Sequence, residues 1–405
     1  MRRITYVLGI ALVFTIPWED STSVMAFGSL TKIMGMIVAL FWGVTILLEG
    51  KFRRPRLFHA LVFLFFLWNL VSVIWSQNLD GTIQRIKTYG QIFILMLIFW
   101  EFFQKPEQLS TALQAYVFGA YVLVINSIYN YMQGSVAVAY EGRYSATGVN
   151  ANDLTLILLL GLPVAIQLFF SNVQNKQNTL LRVVNLAYIP LAIFAILLTG
   201  SRTSLIAVIP FGFYLVGTRQ IKPKTKLLVV SILLVSLLAL IPFIPSTLVS
   251  RLGTLGSSIE SRDLGGRFEL WMEALQVFSA HPITGLGSGT LVSAIGSAAH
   301  NTFVSVLAET GVVGFILFLL ILAIVFFQAL SIPNGNAGLW VAIFLTWAIG
   351  VFSLSWEFRK LTWLFLNFIA IEGSFTYEQL HVKQVGIRIS RSLRQLSRAD
   401  QIENN

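Results

Sequence analysis

Long apolar runs, separated by short polar connections, recur along almost the whole chain. They lie near 4–18, 27–48, 57–75, 88–103, 109–132, 153–170, 180–199, 203–218, 226–243, 302–329, 339–356 and 361–372. Most approach the roughly 17–25 residues a helix needs to cross a bilayer. The pattern therefore predicts an all-α polytopic membrane protein with about twelve transmembrane helices and a long external loop containing surface-lying helices. The start, MRRITYVLGIALVFTIPWED, has the basic front and short apolar run of a signal peptide. Only the weak SVMA follows as a cleavage site, so the segment is read as the first helix.

Alternate connections fall on opposite sides. One set holds Arg2, Arg3, KFRRPR (51–56), Lys105, Lys176, Arg182, RQIKPKTK (219–226) and the C-terminal Lys383, Arg388, Arg391, Arg394 and Arg398. The excess of Lys and Arg on the cytoplasmic side places this set, and both termini, in the cytoplasm. Residues 1–372 then form one membrane domain, with 244–301 as its long external loop and 373–405 as a basic cytoplasmic tail. The tail is read either as a helix against anionic headgroups or as a solvated basic segment. Within the external loop, Phe268, Trp271, Leu275 and Phe278 recur at helical spacing, opposite Glu269, Glu273 and Gln276. This predicts a helix lying on the membrane or over a cavity, ended by His281–Pro282.

Composition sharpens the picture. The 405 residues are 56% hydrophobic and only 11% charged, against roughly 25% charged in soluble domains. With no cysteine, disulfides, thiolate metal sites and thiol nucleophiles are excluded. The net charge of +10 is explained by the cytoplasmic bias and calls for no nucleic acid.

Against that bias, the outward set carries Arg85, Arg143, Arg202, Arg251, Arg262, Arg267 and Arg359. The planar guanidinium fork suits phosphate oxygens. In TGSRTS, Arg202 stands on the first turn of a helix, where a cation opposes the helix dipole but an anion is held by free N–H groups and guanidinium together. It is read either as an interfacial arginine on lipid phosphate or as a ligand of substrate phosphate. Arg267 opens the amphipathic helix after two glycines, and serves either an anion or an ion pair with Asp263 or Glu269. Asn150, Asn152 and Asp153 are read as caps of the next span, and GLGSG (285–289) as a flexible turn, since it lacks the Lys and Ser/Thr of a nucleotide loop.

SAAHNTFVSVLAETGVVG (297–314) sets His300 and Asn301 at the mouth of an apolar helix and Glu309 inside it. An imidazole titrates near neutrality and serves as a general base, or is merely structural. Nine residues further, Glu309 is about 13 Å deeper and out of phase, so it does not pair with His300 along one face. It is expected to hold a neighbouring helix, and GVVG to permit close packing. Outward carboxylates form no cluster with metal-ligand spacing, and no nucleotide pocket is legible.

HNTFVSVLAETGVVG resembles the His-Asn…Glu-x-Gly-x-x-Gly segment of the bacterial O-antigen ligase family, which is related to O-antigen polymerases and protein O-oligosaccharyltransferases. GRYSATGVNANDLTLIL resembles its Arg-x-x-Gly…Asn-Pro-Asn loop, with Ala151 where proline is usual. TGSRTSLIAV resembles its Ser-Arg turn, and GGRFELWMEALQVFSAHPITGLGSG its Gly-Arg…Trp helix and Gly-rich turn. VFTIPWE and SVIWSQNLDGTIQR fit as well.

The resemblance implies a glycosyltransferase in the cytoplasmic membrane that draws a glycan from an undecaprenyl-diphosphate donor, without a cofactor or metal. His300, Arg202 and Arg267 are then the catalytic candidates, Arg143, Asn301 and Arg85 the substrate-binding ones, and Glu309 and Asn152 supports. The acceptor is a lipid or polysaccharide hydroxyl, attacked with inversion on the outer side. A polysaccharide polymerase shares donor and topology. A transporter, such as the inorganic-carbon transporters that resemble this family, should show paired broken helices at midplane, and none is legible.

Overall fold

The computed structural model describes residues 1–22, 28–136, 142–174, 178–218, 222–245, 266–333 and 336–375. Arg251, Arg262, Asp263 and the basic tail from 376 onward lie outside the described residues. Those described are mostly helical, with no strand among them. In chain order the helices are α1 (Arg2–Thr15), α2 (Leu30–Glu49), α3 (Leu57–Val71), α4 (Leu79–Phe102), α5 (Pro106–Met132), α6 (Ala151–Gln174) and α7 (Thr179–Leu198). Then come α8 (Thr203–Ala207), α9 (Ile209–Gly217), α10 (Pro223–Leu240), α11 (Arg267–Ala280), α12 (Leu291–Ile295), α13 (Thr302–Ser331), α14 (Ala337–Gly350) and α15 (360–375).

Local chemistry sets many boundaries. Proline occupies the first position of α5 and α10, where its missing N–H is harmless. Ser29, Asn78, Asn178 and Asn301 accept backbone N–H groups at the starts of α2, α4, α7 and α13. Gly50 closes α2 in the left-handed conformation.

Among the described residues, seven helices are long and apolar enough to cross a membrane: α2, α3 with its following 3₁₀ turn, α5, α6, α7, α10 with its own 3₁₀ turn, and α13. The protein is thus an all-α polytopic membrane protein, while twelve spans are not established. The expected first span ends at Thr15 and continues as a 3₁₀ segment, Ile16–Ser21, with Pro17 at its start. The expected span 203–218 divides at Val208 into α8 and α9, just before Pro210. Residues 79–87, expected in a loop, are the first turns of α4, so Arg85 is a helical residue.

The packing centre is α15. Every residue from 361 to 371 is buried, and Trp363, Phe365 and Phe368 meet Phe65 of α3, Tyr116 of α5 and Phe99 of α4. α6 packs on α5, α7 and α14, and α13 on α3, α11 and α14. Charges collect at the two ends of this bundle. At one, Glu101 binds Arg2 at 2.8 Å and the Arg53 N–H at 2.7 Å, and Arg53 also donates to Ser374. Arg85, sixteen residues earlier on α4, lies about 24 Å away by helical rise, at the end that holds His300.

A polar cavity as candidate active site

Three glycines and a broken helix build the floor of the site. α13 is interrupted at Gly311 (φ 65°, ψ −171°). The break frees carbonyls that each find a new donor: Leu286 N–H binds Ala308 O at 3.0 Å, Gly287 N–H binds Glu309 O at 3.0 Å, and Trp68 Nε1–H binds Thr310 O at 2.8 Å. In return Val312 N–H donates to Pro282 O at 2.9 Å. Irregular backbone inside a membrane protein is tolerated only where protein satisfies it, and here the 282–290 turn does so. That turn is wedged, contrary to the flexible reading of GLGSG. Gly285, Gly287 and Gly289 all have positive φ, and a Cβ on Gly285 would lie 2.4 Å from the Glu309 backbone. Ser288 is buried and bonds to Asn69, Ser72 and Thr82.

Above the break, Glu309 gathers three elements. Its Oε2 accepts from Gly289 N–H at 2.8 Å and from Arg85 Nη1 at 3.3 Å, and its Oε1 from Leu291 N–H at 3.3 Å. Arg85 Nη1 also reaches Glu357 at 3.1 Å, and its guanidinium lies 4.0 Å from the centre of the Phe358 ring. Glu357 sits in the loop before α15. Burial pushes it up to about 7, opposed by Arg85 and reinforced by Glu309. This loop is stitched to α13: Trp356 N–H donates to Thr302 Oγ1, Thr302 Oγ1 to Leu354 O, and Ser305 and Ser355 share a 2.9 Å bond.

These elements enclose a cavity of about 170 Å³ lined by Arg85, Asn150, Asp153, His300, Ser305, Glu309, Glu357, Arg359 and apolar neighbours. His300 has φ 48°, the one positive φ outside glycine among the described residues. Such backbone costs on the order of 1–3 kcal/mol and persists where its surroundings over-determine it, a recurrent property of functional sites. Here Asn301 caps α13 with bonds to the N–H groups of Phe303 and Val304, while Trp271 Nε1 holds Ala299 O at 2.9 Å. Arg267 is one turn from Trp271 on α11, on the same side. Burial and Arg267 lower the His300 pKa from its ordinary 6.5, and Asp153 opposes them. The imidazole is therefore neutral at pH 7 and free to take a proton.

The buried side of α11 differs from the expected one. Leu270, Trp271, Ala274, Val277 and Phe278 face inward, while Phe268, Met272 and Leu275 are exposed.

Of the sequence candidates, the cavity unites His300, Arg85 and Glu309. Arg267 acts on it through its field, and Arg202 stands outside it at the start of α8, which packs on α6 and α14. Asn301 is a helix cap. Arg143 is buried, with Nε on Thr199 O at 2.6 Å and Nη2 on Asn152 Oδ1 at 2.9 Å, joining its loop to the turn before Arg202. Asp153, expected to cap α6, instead accepts from Trp356 Nε1 at 2.7 Å and Arg359 Nη2 at 3.1 Å. Asn150 does the local capping, accepting from Asn152 N–H. Asp153 and Glu357 were missed as site residues. SWEFRK (355–360), a polar run between apolar segments in a charge-poor chain, was the available signal. Among the described residues, no three His, Asp or Glu side chains gather as a metal-binding set.

No curated protein matches the chain. The family model described as O-antigen ligase matches residues 187–319, a segment that holds Arg202, Arg267, His300 and Glu309 and forms the cavity's floor. Over residues 187–319, about a third of its length, the chain is thus similar to the O-antigen ligase family.

Proposed function

We propose that this protein transfers a glycan from an undecaprenyl-diphosphate carrier to an acceptor hydroxyl at the outer face of the cytoplasmic membrane. The observation that carries the reading is His300, set with positive φ at the start of α13 and lining a polar cavity. The cavity itself sets Arg85 and Arg359 against Asp153, Glu309 and Glu357. It thus has no positive excess for a diphosphate, and the hydroxyl acceptor is assigned to it. The donor diphosphate is assigned to Arg267 and Arg202. The basic character of the opposite end supports the outward direction.

In the reaction, a ring nitrogen of His300 takes the acceptor proton as its oxygen bonds to the anomeric carbon. The bond from that carbon to the diphosphate breaks on the opposite face, and its electron pair leaves with the diphosphate, so the anomeric centre inverts. General-base assistance contributes about 10²–10⁴ in rate. Each well-placed donor to the developing charge adds about 10²–10³, so arginine serves where a metal otherwise would. The acceptor is a lipid or polysaccharide. The experiment gives purified protein an undecaprenyl-diphosphate glycan and candidate acceptors, with and without EDTA, beside Arg202→Ala. Transfer that survives EDTA and falls at least a hundredfold in the variant supports the reading; abolition by EDTA overturns its metal-independent form. A ladder on the lipid carrier identifies a polymerase, and a single product on a new acceptor a ligase.

A further inference from the structure

Asp153 is a buried ionisable group of the cavity, held through both of its oxygens, that the reaction above leaves without a role. It stands on the first turn of α6, 147 positions before His300, and no motif in the sequence links the two. It is 8% exposed. One oxygen is fixed by Trp356 Nε1 at 2.7 Å and the other by Arg359 Nη2 at 3.1 Å. Arg359 is itself anchored by Asp20 at 2.7 Å, so the carboxylate is tied from the loop before α15 and, through Arg359, from the segment after α1. Trp356 in turn is tied to Thr302, on the first turn of the helix that follows His300. Carboxylate and imidazole thus line one cavity on elements bonded to each other.

We propose that Asp153 is the positioning residue for His300, an acidic partner that stabilises the imidazolium as the proton is taken. This rests on the reading of His300 as the base. A base oriented by a carboxylate that is itself held by other groups is a general solution to proton abstraction. The charged groups around His300 are Arg267 from α11 and Asp153 from α6. Around the same cavity lie Arg85 from α4, Glu309 from α13, and Glu357 and Arg359 from the loop before α15. Only Asp153 among the carboxylates exerts a resolved pull on the imidazole, and it opposes Arg267. Glu309 and Glu357 are turned to Arg85. The arrangement leaves His300 unprotonated at rest, yet gives the imidazolium a nearby anion during the reaction.

The test is the titration of the imidazole itself, read by NMR on histidine-labelled protein in detergent without substrate. The chain has four histidines, and His300→Gln identifies the resonance. Asp153→Asn keeps the shape and an acceptor for Trp356; it is expected to move the His300 midpoint to lower pH and reduce kcat roughly tenfold or more, with KM little changed. Asp153→Glu restores charge and should recover part of both. Trp356→Phe, which loosens the tether without removing charge, should lower kcat while leaving most of the midpoint shift absent. An unmoved midpoint in Asp153→Asn, with the protein folded, overturns the proposal. Because the titration needs no turnover, that result is distinguishable from failure of the glycosyltransferase reading, which shows as absent transfer in the wild type.

Discussion

Replacing Glu309 with Gln removes one charge from the junction of α4, α13 and the 285–290 turn without changing its shape. The carboxylate takes three donors, Gly289 N–H, Leu291 N–H and Arg85 Nη1. An amide oxygen in the Oε2 position keeps the first and third, but the NH₂ group then faces Leu291 N–H. An orphaned buried N–H costs about 1–3 kcal/mol. Arg85 also loses an ionic partner. Breaking a buried pair outright costs about 3–5 kcal/mol, but Glu357 remains 3.1 Å from the same Nη1, so only a fraction of that is lost. The sum is about 2–4 kcal/mol. The assay is thermal unfolding of the purified protein in detergent, with Arg85→Met and the double variant completing a cycle. Glu309→Gln should lower Tm by several degrees, and the double variant should be less destabilised than the sum of the singles, since the two side chains share one contact. Wild-type Tm in Glu309→Gln, or strict additivity, would refute the assignment of Glu309 as the junction.

Two further substitutions follow from the same geometry. Gly311→Ala puts a Cβ 2.2 Å from Ile283 O in a conformation that only glycine adopts readily; it should cost about 2–5 kcal/mol, and wild-type Tm in detergent would contradict the wedged turn. Arg267→Ala removes a charge that lowers the His300 pKa, so His300 keeps its proton to higher pH and the acid limb of kcat/KM should move up. A limb that stays in place or moves down excludes His300 as the group that must be unprotonated.

The apolar periodicity made the fold class legible, because a bilayer demands helices of known length and composition. What it left open or misplaced was set by tertiary contacts. The expected final span at 361–372 is the packing centre of the bundle, which its hydropathy does not distinguish from a lipid-facing run. GLGSG looked like a flexible turn because glycine permits motion; here three positive φ values and backbone contacts use the same permissiveness to seat the turn against α13. His300, Arg85 and Glu309 stood out as polar groups in an apolar chain, and the cavity unites them. Asp153 was hidden because an acid at a helix start has a sufficient local explanation, while its partners, Trp356 and Arg359, lie more than two hundred residues away. Arg143 was misleading for the opposite reason: an outward arginine suggests phosphate, yet two of its nitrogens are bonded within the protein.

The central claim, that His300 acts on the transferred proton and not on donor affinity, is tested most directly by measuring donor binding and single-turnover transfer side by side in wild type and His300→Ala. The account predicts unchanged affinity for the undecaprenyl-diphosphate glycan and a transfer rate reduced by about 10²–10⁴. Transfer at the wild-type rate, or a loss fully explained by weaker donor binding, would contradict it.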